Sequence, residues 1–149
     1  MREILFRGKR CDNGEWVQGY YIRAEHHWHK HGIHKDWITL GASANGGWFA
    51  LHNKYAVKAE TVGQFSGLTD KNGKKIFEGD IVHILGNQQV EDWKNVDYNA
   101  LIAFIDGGFC AIDGTIEEHG FRRYALARMD FDMEIIGNIH DNPELLENP

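Results

Sequence analysis

Proline is almost missing from this chain of 149 residues, with two copies, both in the last seven positions. A polyproline linker is thereby excluded, and strands can run without losing backbone donors. Cysteine is as scarce, at Cys11 and Cys110. Two thiols with no secretory leader exclude a disulfide scaffold and point to reduced side chains that serve packing. No window reaches the ~20 apolar residues of a membrane span, and the charged N-terminus lacks the apolar stretch of a signal peptide. Neither membrane insertion nor export is expected, and the expected setting is cytoplasmic. Basic excess is missing too: a net charge of −6 argues against a surface that tracks a phosphate backbone throughout.

Glycine, by contrast, is plentiful at 17 residues, which favours tight turns over helical interiors. Ile4 to Phe6 and Trp16 to Ile22 flank Asp12-Asn13-Gly14, where Asn-Gly suits a primed hairpin turn. Trp37 to Leu40 and Trp48 to Leu51 predict a second hairpin, with the small residues Gly41 to Gly47 as an exposed loop. Ile81 to Leu85, Ala100 to Ile105, Phe109 to Ile112 and Met133 to Ile139 read as further strands, the middle pair turning at Asp106-Gly107-Gly108. Gly86 to Asn99 reads as a long connection or a short helix, and Tyr124 to Met129 as a helical turn or a strand. Asn142-Pro143-Glu144 fits the start of a short C-terminal helix within 143–149. A chain of this length fits one domain, 1–149, that buries about two-thirds of its unfolded surface.

The most informative stretch runs from Gly63 to Val82. Asp70-Lys-Asn-Gly73 offers one turn, and the β-prone pairs Ile76-Phe77 and Ile81-Val82 lie on either side of Glu78-Gly79-Asp80. Gly79 supplies an unusual backbone angle there, and Asp80 caps nearby amides. This stretch resembles the signature of the YopX-like family encoded by phages and prophages of Gram-positive bacteria. Arg2 to Arg10 with Asp12 to Tyr20 is similar to that family's start, and Glu134 to Leu146 to its end. Ala24 to Ala59 and Gln88 to Phe131 correspond to its variable parts. The resemblance implies a predominantly β fold, a phage or prophage origin and a cytoplasmic setting; it carries over no catalytic or binding residue.

Charge is unevenly spread. Residues 1–87 hold 12 Lys or Arg against 9 Asp or Glu, net +3; residues 88–149 hold 4 against 13, net −9. Packing of one half on the other, head-to-tail association or a basic partner would each use this asymmetry, and solvated acidic loops at Glu117-Glu118 and Asp130 to Asp132 would explain it without any partner. The run His26 to His34 holds five of the nine histidines. His27, His29 and His31 would share a face on a strand, and His27, His31 and His34 on a helix, a pattern that suits Zn²⁺, Ni²⁺ or Cu²⁺. Lys30, Gly32 and the lack of a second ligand cluster favour an unliganded polar loop. Cys110 sits in an apolar run where burial makes it inert, no nucleophile motif is present, and Gly107-Gly108 lacks the spacing and lysine of a phosphate loop. Arg7, Lys9, Arg10, Arg23, Lys71, Lys74 and Lys75 with Trp16, Tyr20, Tyr21 and Phe77 give the basic and aromatic mix used by single-strand binders.

The expected fold is all-β: a small SH3-like barrel, extended by the N-terminal hairpin and closed by the short helix. No residue is nominated as catalytic, cofactor-binding or metal-ligating, and no enzyme is expected. The leading function is a non-catalytic accessory module that binds a protein or itself. A nucleic-acid-binding module in phage DNA metabolism comes second, and a metal-dependent enzyme using the His-rich run third.

Overall fold

Eleven antiparallel strands carry the chain among the residues that the computed structural model describes, which are 3–23, 36–45, 48–86, 96–117, 120–126 and 132–146. The architecture is all-β, as the glycine-punctuated sequence predicts. The chain divides into two compact units, Met1–Phe65 and Ser66–Pro149. The His26 to His34 run and the segment 87–95 lie outside the described residues.

In the first unit, β1 (Phe6–Lys9) and β2 (Trp16–Arg23) form the expected hairpin, with Phe6 opposite Gly19 and Lys9 opposite Trp16. Its turn is wider than a two-residue primed one. The Arg10 amide donates to the Glu15 carbonyl at 2.9 Å around a four-residue loop in which Gly14 alone has a positive φ, 75°. The second hairpin pairs β3 (Asp36–Asn45) with β4 (Trp48–Ala56). Here the expected loop at Gly41 is strand as far as Asn45, because ladder bonds come from backbone amides and need no bulky side chain. β5 (Gly63–Thr69) pairs with β1 through Gly63 and Gln64.

One face of this sheet is the core of the unit. Ile38 and Val57 are buried, and a Cβ on Gly8 would meet Val57 Cβ at 3.1 Å and Ile38 Cδ1 at 3.4 Å. Gly19 is more constrained still: a Cβ there would lie 2.3 Å from the Thr39 carbonyl oxygen, so β2 and β3 approach at this point only because the side chain is missing. Just past the ends of β1 and β4, Arg10 bridges Val57, with the Lys58 amide donating to the Lys9 carbonyl and the Cys11 amide to the Ala56 carbonyl, each at 2.9 Å.

The second unit begins within β5. The turn Asp70 to Gly73 connects it to β6 (Lys75–Phe77), the Asp70 amide donating to the Lys74 carbonyl at 2.8 Å. Asp70 organises this corner. Its Oδ1 accepts from the Asn72 and Lys74 amides at 2.9 Å each, and its Oδ2 from the Ile135 amide at 3.3 Å. Asp80 caps as expected, Oδ2 accepting from the buried Phe77 amide at 2.8 Å. The two strands flanking Glu78-Gly79 do not form a hairpin, however. β6 pairs with β5, whereas β7 (Asp80–Leu85) joins a separate five-stranded sheet in the order β10-β9-β8-β7-β11.

That sheet contains β8 (Asp97–Ile105), β9 (Gly108–Glu117), β10 (Gly120–Ala125) and β11 (Asp132–Asn138). β8 and β9 turn at Asp106-Gly107, as expected, both residues having left-handed φ values of 52° and 82° that match a primed hairpin turn. Ile76, Val82, Ile84, Ala100, Ile102, Ala111, Leu126 and Met133 form the core. β11 pairs with β7 until Ile136, which is looped out between the pairs Ile135 to Val82 and Gly137 to Ile81.

The expected SH3-like barrel is not what the strands form. Closure requires the outer strands of a sheet to pair with each other. β10 and β11 occupy opposite ends of an open sheet, and β6, which was to line the barrel beside β7, is spent on β5. The expected C-terminal helix is one 3-10 turn, Pro143–Leu146, tied down where Asn99 Nδ2 donates to the Leu145 carbonyl at 3.0 Å.

Candidate nucleic-acid interface

Residues directly opposite in an antiparallel ladder share a face, so register sorts the side chains of the first unit. Lys9 is opposite Trp16 and Arg7 opposite Gln18; Tyr20 is opposite Thr39, Thr39 opposite Lys54, and Ile22 opposite Trp37. One outer face therefore carries Arg7, Lys9 and Lys54 interleaved with Trp16, Tyr20 and Trp37. Its strand positions in β1 to β4 hold no carboxylate among the described side chains.

The cations are seated on the rings. The Arg7 guanidinium lies 4.7 Å from the Trp16 ring centre, Lys9 Nζ lies 5.6 Å from the same ring, and Lys54 Nζ lies 5.5 Å from that of Trp37. Each ring's negative face attracts its cation and holds a flexible side chain in place. Tyr20 differs, as the residue is 55% exposed at the centre of the sheet, beside a Thr39 that is 2% exposed. The Thr39 hydroxyl donates to the Gly41 carbonyl at 2.8 Å, so the polar group beneath the face is satisfied.

Of the sequence candidates, Arg7, Lys9, Trp16 and Tyr20 come together here. Arg10, Tyr21 and Arg23 point to the opposite face. Arg10 donates to both carboxylate oxygens of Asp12, from Nε at 2.9 Å and Nη2 at 2.6 Å, and stacks over Tyr55 at 4.4 Å. That bonding holds the Asp12 carboxyl below its usual range. The Tyr21 hydroxyl donates to Asp36 in a short hydrogen bond, and burial first, then the carboxylate, pushes its pKa up. Lys71, Lys74, Lys75 and Phe77 belong to the second unit. Lys71 Nζ sits 2.5 Å from Glu134 and Phe77 is 1% exposed, so Phe77 is core and not a stacking platform. Trp37 and Lys54 were missed, because only the β2-β3-β4 register places them beside Tyr20.

The charge division follows the units. Residues 1–65 carry 9 Lys or Arg against 6 Asp or Glu, net +3, and residues 66–149 carry 7 against 16, net −9, summing to the −6 of the chain. Among the described residues no group of three or more His, Cys, Asp or Glu could hold a metal ion. Cys11 and Cys110 are both free, and Cys110 is half-buried instead of enclosed. No helix among the described residues is long and apolar enough to cross a membrane.

Comparison with known proteins agrees with this architecture. The protein EF1440 from Enterococcus faecalis, known from a crystal structure, is similar at a TM-score of 0.54 and 23% identity, the alignment covering 98% of this chain and 99% of that one. At that identity the likeness speaks for the fold. No curated protein sequence matches the chain. The family model described as YopX protein matches residues 5–147, nearly the whole length, and the chain belongs to the YopX family.

Proposed function

We propose that this protein is a non-catalytic binding module whose ligand is nucleic acid, taken on the outer face of the first unit in the cytoplasm of a bacterium carrying a phage or prophage. The observation that carries the reading is the seating of Arg7, Lys9 and Lys54 over Trp16 and Trp37 on one sheet face. Sheet faces that combine aromatic rings with cations suit bases and phosphates together: rings supply flat apolar area, and the cations supply counter-charge. The net charge of the whole chain is no obstacle, since the excess acid lies in residues 66–149.

The test is fluorescence anisotropy with a labelled oligonucleotide at two salt concentrations. Three phosphate contacts at about 0.7 each give a log–log salt slope near −2, so raising salt from about 50 to about 200 mM should weaken binding roughly 20-fold. Lys54→Glu and Lys9→Glu should weaken binding and flatten the slope. Salt-independent binding, or reversals without effect, would refute the reading.

Protein binding is the second reading, favoured by one observation. Phe104, at the β8-β9 hairpin end, is 50% exposed and rests edge-on against Phe109 with ring centres 5.0 Å apart. A half-exposed aromatic pair on a rigid hairpin fits a recognition surface. Affinity capture from infected host lysate with wild type and Phe104→Ala tests it; a partner retained equally by both refutes the Phe104 surface, and the absence of any specific partner refutes the reading.

A further inference from the structure

We infer that Tyr20 is the base-stacking platform of the face, and that the ligand is therefore an unpaired strand and not a duplex. This rests on the nucleic-acid reading of the same face. The three rings among the described side chains of the face are not equivalent. Trp16 carries Arg7 and Lys9, and Trp37 carries Lys54, so these two indoles hold cations for a backbone. Tyr20 offers ring surface to solvent, at 55% exposure.

Its mounting is rigid. β2 is paired on both sides, to β1 at Gly19 and to β3 at Tyr20 itself. The neighbouring Gly19 lets the Thr39 carbonyl approach to where a Cβ would be, at 2.3 Å, which fixes β2 against β3 immediately beside the ring. A side chain held on a central strand loses little conformational freedom when a ligand stacks on it. A stacking ring requires a base whose face is open, and in a duplex every base face is covered by its neighbours in the stack. An unpaired strand instead lays its phosphates along Arg7, Lys9 and Lys54 and one base on Tyr20.

The experiment compares wild type, Tyr20→Ala and Tyr20→Phe against labelled oligo-dT of about twelve nucleotides and a duplex of matched length, sized to known single-strand sites. Wild type should prefer the single strand. Tyr20→Ala should lose roughly 5- to 150-fold in single-strand affinity, the range of one lost base–ring stack, with unchanged duplex affinity and unchanged circular dichroism. Tyr20→Phe should bind as wild type does. Equal loss in Tyr20→Phe would assign the effect to the hydroxyl and overturn the stacking role. So would a duplex preference, or a Tyr20→Ala variant that binds oligo-dT unchanged while the salt dependence persists. If wild type binds neither probe at low salt, the interface itself is refuted, a result distinct from a silent Tyr20 variant on a protein that binds.

Discussion

Replacing Asp70 should unlatch the corner that begins the second unit, and the cost follows from its bonds. The side chain is 5% exposed and accepts three backbone amides, two at 2.9 Å and one at 3.3 Å. Hydrogen bonds to a charged group contribute about 1.5–3 kcal/mol each when well formed. Counting the two short bonds near the low end and the long one as less, Asp70→Ala should cost about 3–5 kcal/mol, a large part of the stability of a small domain. Asp70→Asn separates geometry from charge. Its oxygen can keep the Asn72 and Lys74 amides, but its NH2 then faces the Ile135 N–H, donor against donor, for a loss of about 1–2 kcal/mol.

The pH dependence gives a second handle. Burial pushes the Asp70 carboxyl up, but the amides of Lys74, Ile135 and Asn72 outweigh it and hold the folded-state pKa below the ordinary value. The carboxylate's contribution is therefore fully present above the unfolded pKa of about 3.9 and is lost as pH falls through the lower folded value. Urea unfolding followed by far-UV circular dichroism should find wild type and Asp70→Asn furthest apart near neutrality and converging below about pH 4. An Asp70→Ala variant within about 0.5 kcal/mol of wild type, or a gap that widens in acid, would refute the account of this corner.

Two further substitutions address the backbone directly. Gly19→Ala places its Cβ 2.3 Å from the Thr39 carbonyl oxygen, forcing β2 from β3; the expected cost is about 3 kcal/mol, and a thermal melt within a degree or two of wild type would contradict the close approach. Asp80→Ala leaves the buried Phe77 amide without its 2.8 Å acceptor; a loss of about 2–3 kcal/mol by urea titration is expected, and native hydrogen exchange at Phe77 should accelerate.

Where the sequence determined structure locally, the structure was legible. Asp106-Gly107 predicted its hairpin because both positions adopt left-handed φ, a property of those two residues alone. Asp80 predicted its cap for the same reason, its acceptor lying three residues from the donor. What depends on distant pairing was hidden. Gly41 to Asn45 read as loop because nothing in small side chains announces a ladder with β4. Ile76-Phe77 and Ile81-Val82 look alike as β-prone pairs, yet β6 and β7 enter different sheets, and with that the barrel is lost. Most of the outer face was visible as Arg7, Lys9, Trp16 and Tyr20, since those residues sit on one hairpin whose turn could be read. Trp37 and Lys54 required the register of two more strands.

The irregular pairing of the five-stranded sheet bears on how its ends would receive a strand from another molecule. A terminal strand with straight, vacant amides is a template for a strand from another molecule. Here the terminal strand β11 is interrupted by the looped-out Ile136, whereas at the other end the slip of register against β10 falls on its inner neighbour β9, and β7 and β8 pair with each other without a break. At the β11 end the bulge bends the strand out of line where a strand from a neighbouring molecule would dock.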